Sequence, residues 1–478
     1  MTAQNKTAST TSGMVPLNIA PSNLTRAVPT RKKSRPKEDV KVLFTTPYLR
    51  RERYDFYKNF ARPDIMMTLT SRRIMQPGLR FIKQNIPQIE ILEFPSWQEF
   101  TRVVDQGWDV IGFSFYSFEV GEIFEMAEYA RKAGVKELWA GNYGVYNPNV
   151  DSVFDKVFDG YSEHQIALEL GVTLEDVQHP PLLDSIGLQP FGGPIMRTGW
   201  LYTARGCPLK CTFCQTPAFA PNVVTTSMDS IDRVLRYYKK HDVQLVTIYD
   251  EIFGIHKAHA SEVVSLLAKY ELPWFVMTRS NLLIKNVGDW HENGMVSAFF
   301  GIESLNPDTL RDIKKKQSTD LIRETLEALN RHNIVTVGSY IIGFPADSVE
   351  SIKRDFQQLQ QLKPDFMKIF VATPYPNTPL WDEADRGYGI DTSDWSKFDG
   401  KHLVWKHPRL TDDDTGRLLK YGYGLFNSEE YVLKFSKKRI LNAWQQKGPR
   451  GLHQLLLSSF HARHHGGAAA ESSQFFQL

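Results

Sequence analysis

Short apolar runs alternate with amphipathic stretches from Val40 onward: Val42-Leu43-Phe44, Ile89-Glu90-Ile91-Leu92, Val110-Ile111-Gly112-Phe113-Ser114 and Leu138-Trp139-Ala140. Runs this short, bounded by polar and turn residues, read as buried strands. Between the last two, Glu119 to Ala133 places Ile123, Phe124, Met126, Ala127 and Ala130 on one helical face, as a helix covering a parallel sheet requires. Residues 38–180 are therefore expected to form a doubly wound, Rossmann-like α/β domain.

A proline-rich stretch (Pro180, Pro181, Pro190, Pro194) reads as a linker over 181–198. A second alternating series follows, with strands expected at 199–204, 244–249, 273–278, 297–302, 335–341 and 366–372. Six βα units make a partial (β/α)6 barrel over 199–385. Ser227 ahead of Ile231, Val234 and Leu235, and Thr319 ahead of Leu321, Ile322 and Leu326, mark helix starts. Active sites of such barrels sit at the C-terminal strand ends. Beyond about Asp382 the strand pattern stops. Thr411-Asp412-Asp413-Asp414 caps a helix carrying Leu418, Leu419 and Tyr423, so 386–465 reads as helical and 466–478 as a frayed tail. His461, His464 and His465 are taken as exposed residues beside that tail rather than as metal ligands.

With 42% hydrophobic and 23% charged residues, a 478-residue chain is expected to be globular and to hold two or three domains. No window approaches the roughly 18–20 apolar residues of a membrane helix, and no secretory signal is evident, which predicts a cytoplasmic protein. A net charge of +3 is too small to argue for nucleic acid. It is also uneven, because residues 1–37 hold seven Lys/Arg and no acid. That segment reads as a disordered basic tail, with an organelle transit peptide as the alternative.

The chain has three cysteines, all in Ala204-Arg205-Gly206-Cys207-Pro208-Leu209-Lys210-Cys211-Thr212-Phe213-Cys214, directly after the first barrel strand. An odd number packed this closely is a poor disulfide framework. Three thiolates at C-x3-C-x2-C spacing bind three irons, and a [4Fe–4S] cube held by three cysteines leaves its fourth iron open. A structural zinc site needs a histidine at finger spacing, and none lies between Pro180 and Lys240.

This spacing, with Phe213 ahead of the last cysteine, resembles the signature of the radical S-adenosylmethionine (SAM) superfamily. The resemblance implies that Cys207, Cys211 and Cys214 hold a [4Fe–4S] cluster whose open iron binds SAM. Reductive cleavage then yields a 5′-deoxyadenosyl radical that takes hydrogen from a small organic substrate. A reductant such as flavodoxin or ferredoxin is implied as partner. Similar cofactor-contacting stretches recur at later strand ends: Asp250-Glu251-Ile252-Phe253, Thr278-Arg279-Ser280-Asn281, Gly301-Ile302-Glu303-Ser304 and Gly343-Phe344-Pro345, with Gly338 nearby. Phe213, Asp250, Glu251, Arg279, Glu303, Ser304 and Gly343 are thus the implied cofactor-binding residues. The segment Thr373-Pro374-Tyr375-Pro376-Asn377-Thr378-Pro379 is similar to a T-P-Y-P-G-T-x stretch of the branch with an N-terminal cobalamin-binding domain, with Asn377 in place of glycine; Asn tolerates the positive φ of such a turn.

The first domain resembles that cobalamin-binding domain at Asp109-Val110-Ile111-Gly112-Phe113-Ser114 and at Asp155-Lys156-Val157-Phe158-Asp159-Gly160-Tyr161-Ser162-Glu163, where Gly160 is kept and Tyr161 replaces an acid. No D-x-H-x-x-G occurs, and His164 is the one histidine of residues 40–178, so a histidine ligand to cobalt is unsupported. Two readings stand. With cobalamin bound, the resemblance implies methyl transfer to an unreactive carbon; with a degenerate domain, it implies radical dehydration, oxidation or ring formation. A non-catalytic cobalamin or metal sensor is the reading of another class. The absence of further cysteines argues against an auxiliary cluster. Tyr202, Tyr249, Tyr340 and Trp381 are candidate pocket residues, with 180–198 and the region after 385 as covers.

Overall fold

The computed structural model describes residues 40–49, 68–71, 75–189 and 194–426, with His453, Leu455 and Leu456 beyond them. The tails expected at 1–37 and 466–478, and His461, His464 and His465, lie outside the described residues.

The first domain runs through Val42–Thr45 (β1), Thr68–Ser71 (β2), Pro77–Asn85 (α1), Ile89–Leu92 (β3), Trp97–Val104 (α2), Val110–Ser114 (β4), Val120–Lys132 (α3), Glu137–Gly141 (β5), Lys156–Val157 (β6) and Glu163–Glu169 (α4). Its parallel sheet has the order β3-β1-β4-β5-β6, while β2 leaves it to pair elsewhere. Numbered within the sheet this is 2-1-3-4-5, the doubly wound order whose ligand crevice opens at the ends of the adjacent strands β1 and β4, from which the chain connections run in opposite directions. The helix expected at 119–133 forms because Ile123, Met126, Ala127 and Ala130 recur at 3.6-residue spacing and are all fully buried. Phe124 lies at the rim of the same cluster.

Among the described residues the second sheet has eight strands. Leu182–Gln189 (β7) and Pro194–Leu201 (β8) are followed by Ala204–Arg205 (β9), Thr216–Phe219 (α5), Val224–Thr225 (β10), Met228–Lys240 (α6), Leu245–Ile248 (β11), Lys257–Lys269 (α7), Trp274–Thr278 (β12), Ser280–Glu292 (α8) and Met295–Glu303 (β13). Then come Pro307–Asp312 (α9), Thr319–Arg331 (α10), Val335–Ile342 (β14), Val349–Leu362 (α11), Phe366–Val371 (β15), Pro379–Gly387 (α12) and Asp412–Phe426 (α13). The order is β15-β14-β13-β12-β11-β8-β7-β2, and the six strands from β8 to β15 are parallel, one per βα unit. One face packs on the helices through Ile231, Val234, Leu235 and Tyr238 of α6 and their counterparts. The other encloses Trp200, Leu245, Tyr249, Phe275, Met277, Val335, Val337 and Phe366.

Three expectations need correction. Residues 181–198 are not a linker: β7 pairs antiparallel with both β8 and β2, widening the sheet past its first parallel strand. The prolines stand at or beyond the ends of β7 and β8, where a missing N–H is tolerated, so they mark strand ends. Residues 388–411 are largely irregular, joined by a single bridge between Ile390 and Trp405, and helix resumes only at α13, which the Thr411–Asp414 pair caps from both sides. The cap of α10 is Ser318, whose hydroxyl accepts from Leu321 N–H, one residue ahead of Thr319. No helix among the described residues is long and apolar enough to cross a membrane.

Candidate active site

The cysteine loop leaves β9 through Gly206, at φ +99°. A side chain there would run into the carbonyls of Asn222 and Ala220, so only glycine permits the turn. The loop is then pinned on every side. Cys207 N–H donates to Ala220 O at 2.9 Å, Thr212 N–H to Ile313 O at 3.1 Å, and Leu380 N–H to Thr212 O at 2.9 Å. Gln215 Nε2 reaches Pro376 O at 2.8 Å. That last contact ties the loop to the 373–379 turn, where Asn377 does take a positive φ of 62°.

Cys207, Cys211 and Cys214 carry no disulfide and all line one cavity of about 1130 Å³ at the C-terminal ends of the barrel strands. Burial pushes the Cys207 thiol up to about 11 and the Cys214 thiol up to about 12. Both therefore hold their protons until a cation replaces them. Three thiols on one cavity wall are a donor set for a cluster with one uncovered iron, and among the described residues no histidine lines the cavity to complete a zinc site.

Phe213, Glu251, Arg279 and Glu303 join the thiols on that wall. Arg279 stands directly ahead of α8, and its guanidinium lies 3.8 Å from Cys211 Sγ while donating to Lys315 O. Glu303, at φ +62° beside a register shift in β13, accepts from Ser339 Oγ at 3.0 Å and forms a buried ion pair with Lys315. Glycine at 301 makes this possible, since a Cβ there would collide with both charged groups.

Asp250, Ser304 and Gly343 are not brought to the cavity. Asp250 is buried beneath the loop, accepting from Thr203 N–H at 2.6 Å and from the Thr203 hydroxyl, and burial raises its carboxyl to about 7. Ser304 Oγ faces Asp355 and accepts from Asn306 N–H. Gly343 N–H donates to Asp347, and Gly338 packs against Met367 and Ile302. Tyr340 hydrogen-bonds Asp355 in the helix-side core, and Trp381 stacks on Trp395. Lys315 and Ser339 escaped the sequence reading, the former because Lys314-Lys315-Lys316 looks like a solvated run.

A second cavity, of about 1110 Å³, opens between the two sheets. Phe44, Gly112, Phe113, Ser114, Gly141 and Asn142 bring the C-terminal ends of β1, β4 and β5 to it, and Tyr202, Arg205, Phe219 and Tyr249 face them from the barrel side. Glu251 lies on the walls of both cavities. Inside the crevice Arg205 pairs with Glu163 at 2.5 Å and lies over the rings of Phe81 and Tyr161.

Residues 201–359 match the family model described as the Radical SAM superfamily. The chain carries a radical SAM domain. An uncharacterized methyltransferase of Pyrococcus horikoshii is 26% identical over 284 residues, covering 56% of this chain and 62% of the relative; the chain thus spans less than two thirds of that protein. The bacteriochlorophyllide d C-8(2)-methyltransferase of Chlorobaculum tepidum is 24% identical over 376 residues, 70% of this chain and 80% of the relative. Among solved structures, the radical SAM methyltransferase TsrM of Kitasatospora setae, with cobalamin and a [4Fe–4S] cluster bound, superposes with a TM-score of 0.58 at 13% identity, over 90% of this chain and all of that one. The fold therefore extends past the radical SAM domain into both sheets.

Proposed function

We propose that this protein is a radical SAM enzyme that binds a corrinoid in the crevice and methylates a carbon of a small organic substrate. The observation that carries the reading is the pair of cavities sharing Glu251. One is built of three thiols at the barrel mouth, and the other opens at the switch point of a 2-1-3-4-5 sheet. When bound, the cluster supplies the electron that cleaves SAM and the corrinoid supplies a methyl group.

Cys207, Cys211 and Cys214 would hold the cluster, and the Arg279 guanidinium would offset its negative charge near Cys211. Glu303, Lys315 and Ser339 offer a buried polar edge to the amino, carboxylate and hydroxyl groups of SAM. Phe213, Phe299 and Phe370 give that cavity an apolar wall against which an adenosyl group is kept from water. Tyr116, Tyr143, Tyr161, Tyr202 and Phe219 do the same for the crevice. A one-electron reductant is required.

Anaerobic purification and reconstitution should give about four irons per chain, release of 5′-deoxyadenosine on reduction, and a retained corrinoid absorption band after hydroxocobalamin is added. Cys207→Ala, Cys211→Ala and Cys214→Ala should each abolish the cleavage. Deoxyadenosine release without corrinoid retention would move the reading to radical dehydration, oxidation or ring formation. A cluster with no SAM cleavage would favour a sensor.

A further inference from the structure

Two tyrosines of the crevice reach the cysteine loop from behind, each through one intermediate residue. The Tyr161 hydroxyl donates to Glu251 Oε1, and Glu251 Oε2 accepts from Gly206 N–H at 2.9 Å, immediately before Cys207. The Tyr143 hydroxyl lies 3.2 Å from Thr216 Oγ1, two residues beyond Cys214 at the start of α5. The two rings hold Phe219 of α5 between them, Tyr143 stacked at 4.2 Å between centroids and Tyr161 edge-on at 5.4 Å. The whole assembly closes because Gly160, at φ +75°, lets its loop approach the Phe219 carbonyl, where a Cβ would sit 2.8 Å away. Tyr161 is also the residue that departs from the acid expected at this position. First and last cysteines are therefore each reached from the crevice by one short bridge.

We propose that Tyr143 and Tyr161 are positioning residues that couple the crevice to the cluster loop: a ligand filling the crevice they line fixes the hydroxyls, and these fix the residues beside Cys207 and Cys214. The coupling rests on the reading of the crevice as a corrinoid site only for the identity of the ligand; the bridges themselves hold the loop whether or not the crevice is filled.

The test uses the full chain as wild type, Tyr143→Phe, Tyr161→Phe and the double variant. Tyr146→Phe serves as control, since it removes a hydroxyl bonded to Asp159 and not to the loop. In the apoprotein, alkylation of each cysteine by iodoacetamide is followed by mass spectrometry with and without hydroxocobalamin. Reconstituted samples are compared by Mössbauer spectroscopy, which sees only the cluster iron. Cys207 should react about tenfold faster in Tyr161→Phe and Cys214 about tenfold faster in Tyr143→Phe, the factor that losing one hydrogen bond gives a local opening. Hydroxocobalamin should slow both cysteines and alter the Mössbauer spectrum in the wild type and the control, and do neither in the double variant although it is retained. Wild-type alkylation rates in the empty double variant, or full protection of it by hydroxocobalamin, would overturn the proposal. If the wild type retains no hydroxocobalamin, the corrinoid reading fails by itself, and the empty-crevice rates still decide whether the tyrosines hold the loop.

Discussion

Lys315 and Glu303 form an ion pair with side chains only 6% and 7% exposed, on the wall of the thiol cavity. Replacing Lys315 by Met leaves a buried carboxylate whose remaining donor here is Ser339, and removing one partner of such a pair costs about 3–5 kcal/mol. At roughly 2–4 °C per kcal/mol for a domain of this size, the melting temperature should fall by roughly 6–20 °C. Replacing both residues, Lys315→Met with Glu303→Met, removes both charges together, and exchange of a whole buried pair for apolar groups is near neutral. The double variant should therefore recover most of the lost stability, giving a coupling energy of about 3 kcal/mol or more in the cycle. It should not recover SAM binding, measured by equilibrium dialysis on the reconstituted protein, because the polar edge of the cavity is gone. A single Lys315→Met variant within about 1 kcal/mol of wild type would refute the reasoning, since only a solvated pair is worth so little.

Gly206→Ala should cut iron incorporation severely while leaving the first domain intact. The positive φ alone costs about 1–2 kcal/mol and the added Cβ meets two backbone carbonyls, so normal iron content would count against the loop geometry. Asp250 and Asp347 are both raised to about 7 by burial, well above their unfolded value. Each therefore holds a proton in the fold that the unfolded chain has lost, and stability should fall as pH rises from about 4 through about 7. Asp250→Asn should gain stability relative to wild type between pH 5 and pH 8 in thermal melts, and a gain in the opposite direction would remove the assignment.

The parallel strands were legible because each is short, apolar and covered on one or both faces, so that Val42–Phe44 or Leu245–Ile248 stands out against amphipathic neighbours. The edge was not. β7 buries Leu182 and Asp184 and sits between prolines, a pattern that reads as broken chain until the sheet that pairs with it is known. The cysteine loop was legible for a different reason: thiols at that spacing have few other uses, and the chemistry is local to eleven residues.

What sequence could not decide was which of two adjacent polar residues at a strand end faces the cavity. Asp250 and Glu251 are neighbours of similar type, yet one clamps Thr203 under the loop and the other stands between the two cavities. Glu303 and Ser304 divide the same way. The residues turned away still serve the site, since Asp250 fixes Thr203, three residues ahead of Gly206, while its neighbour Glu251 accepts from the Gly206 N–H itself. Removing Asp250 therefore acts on the cluster by displacing the loop. Its functional loss should scale with iron retention, whereas that of Glu303 should appear at full iron occupancy.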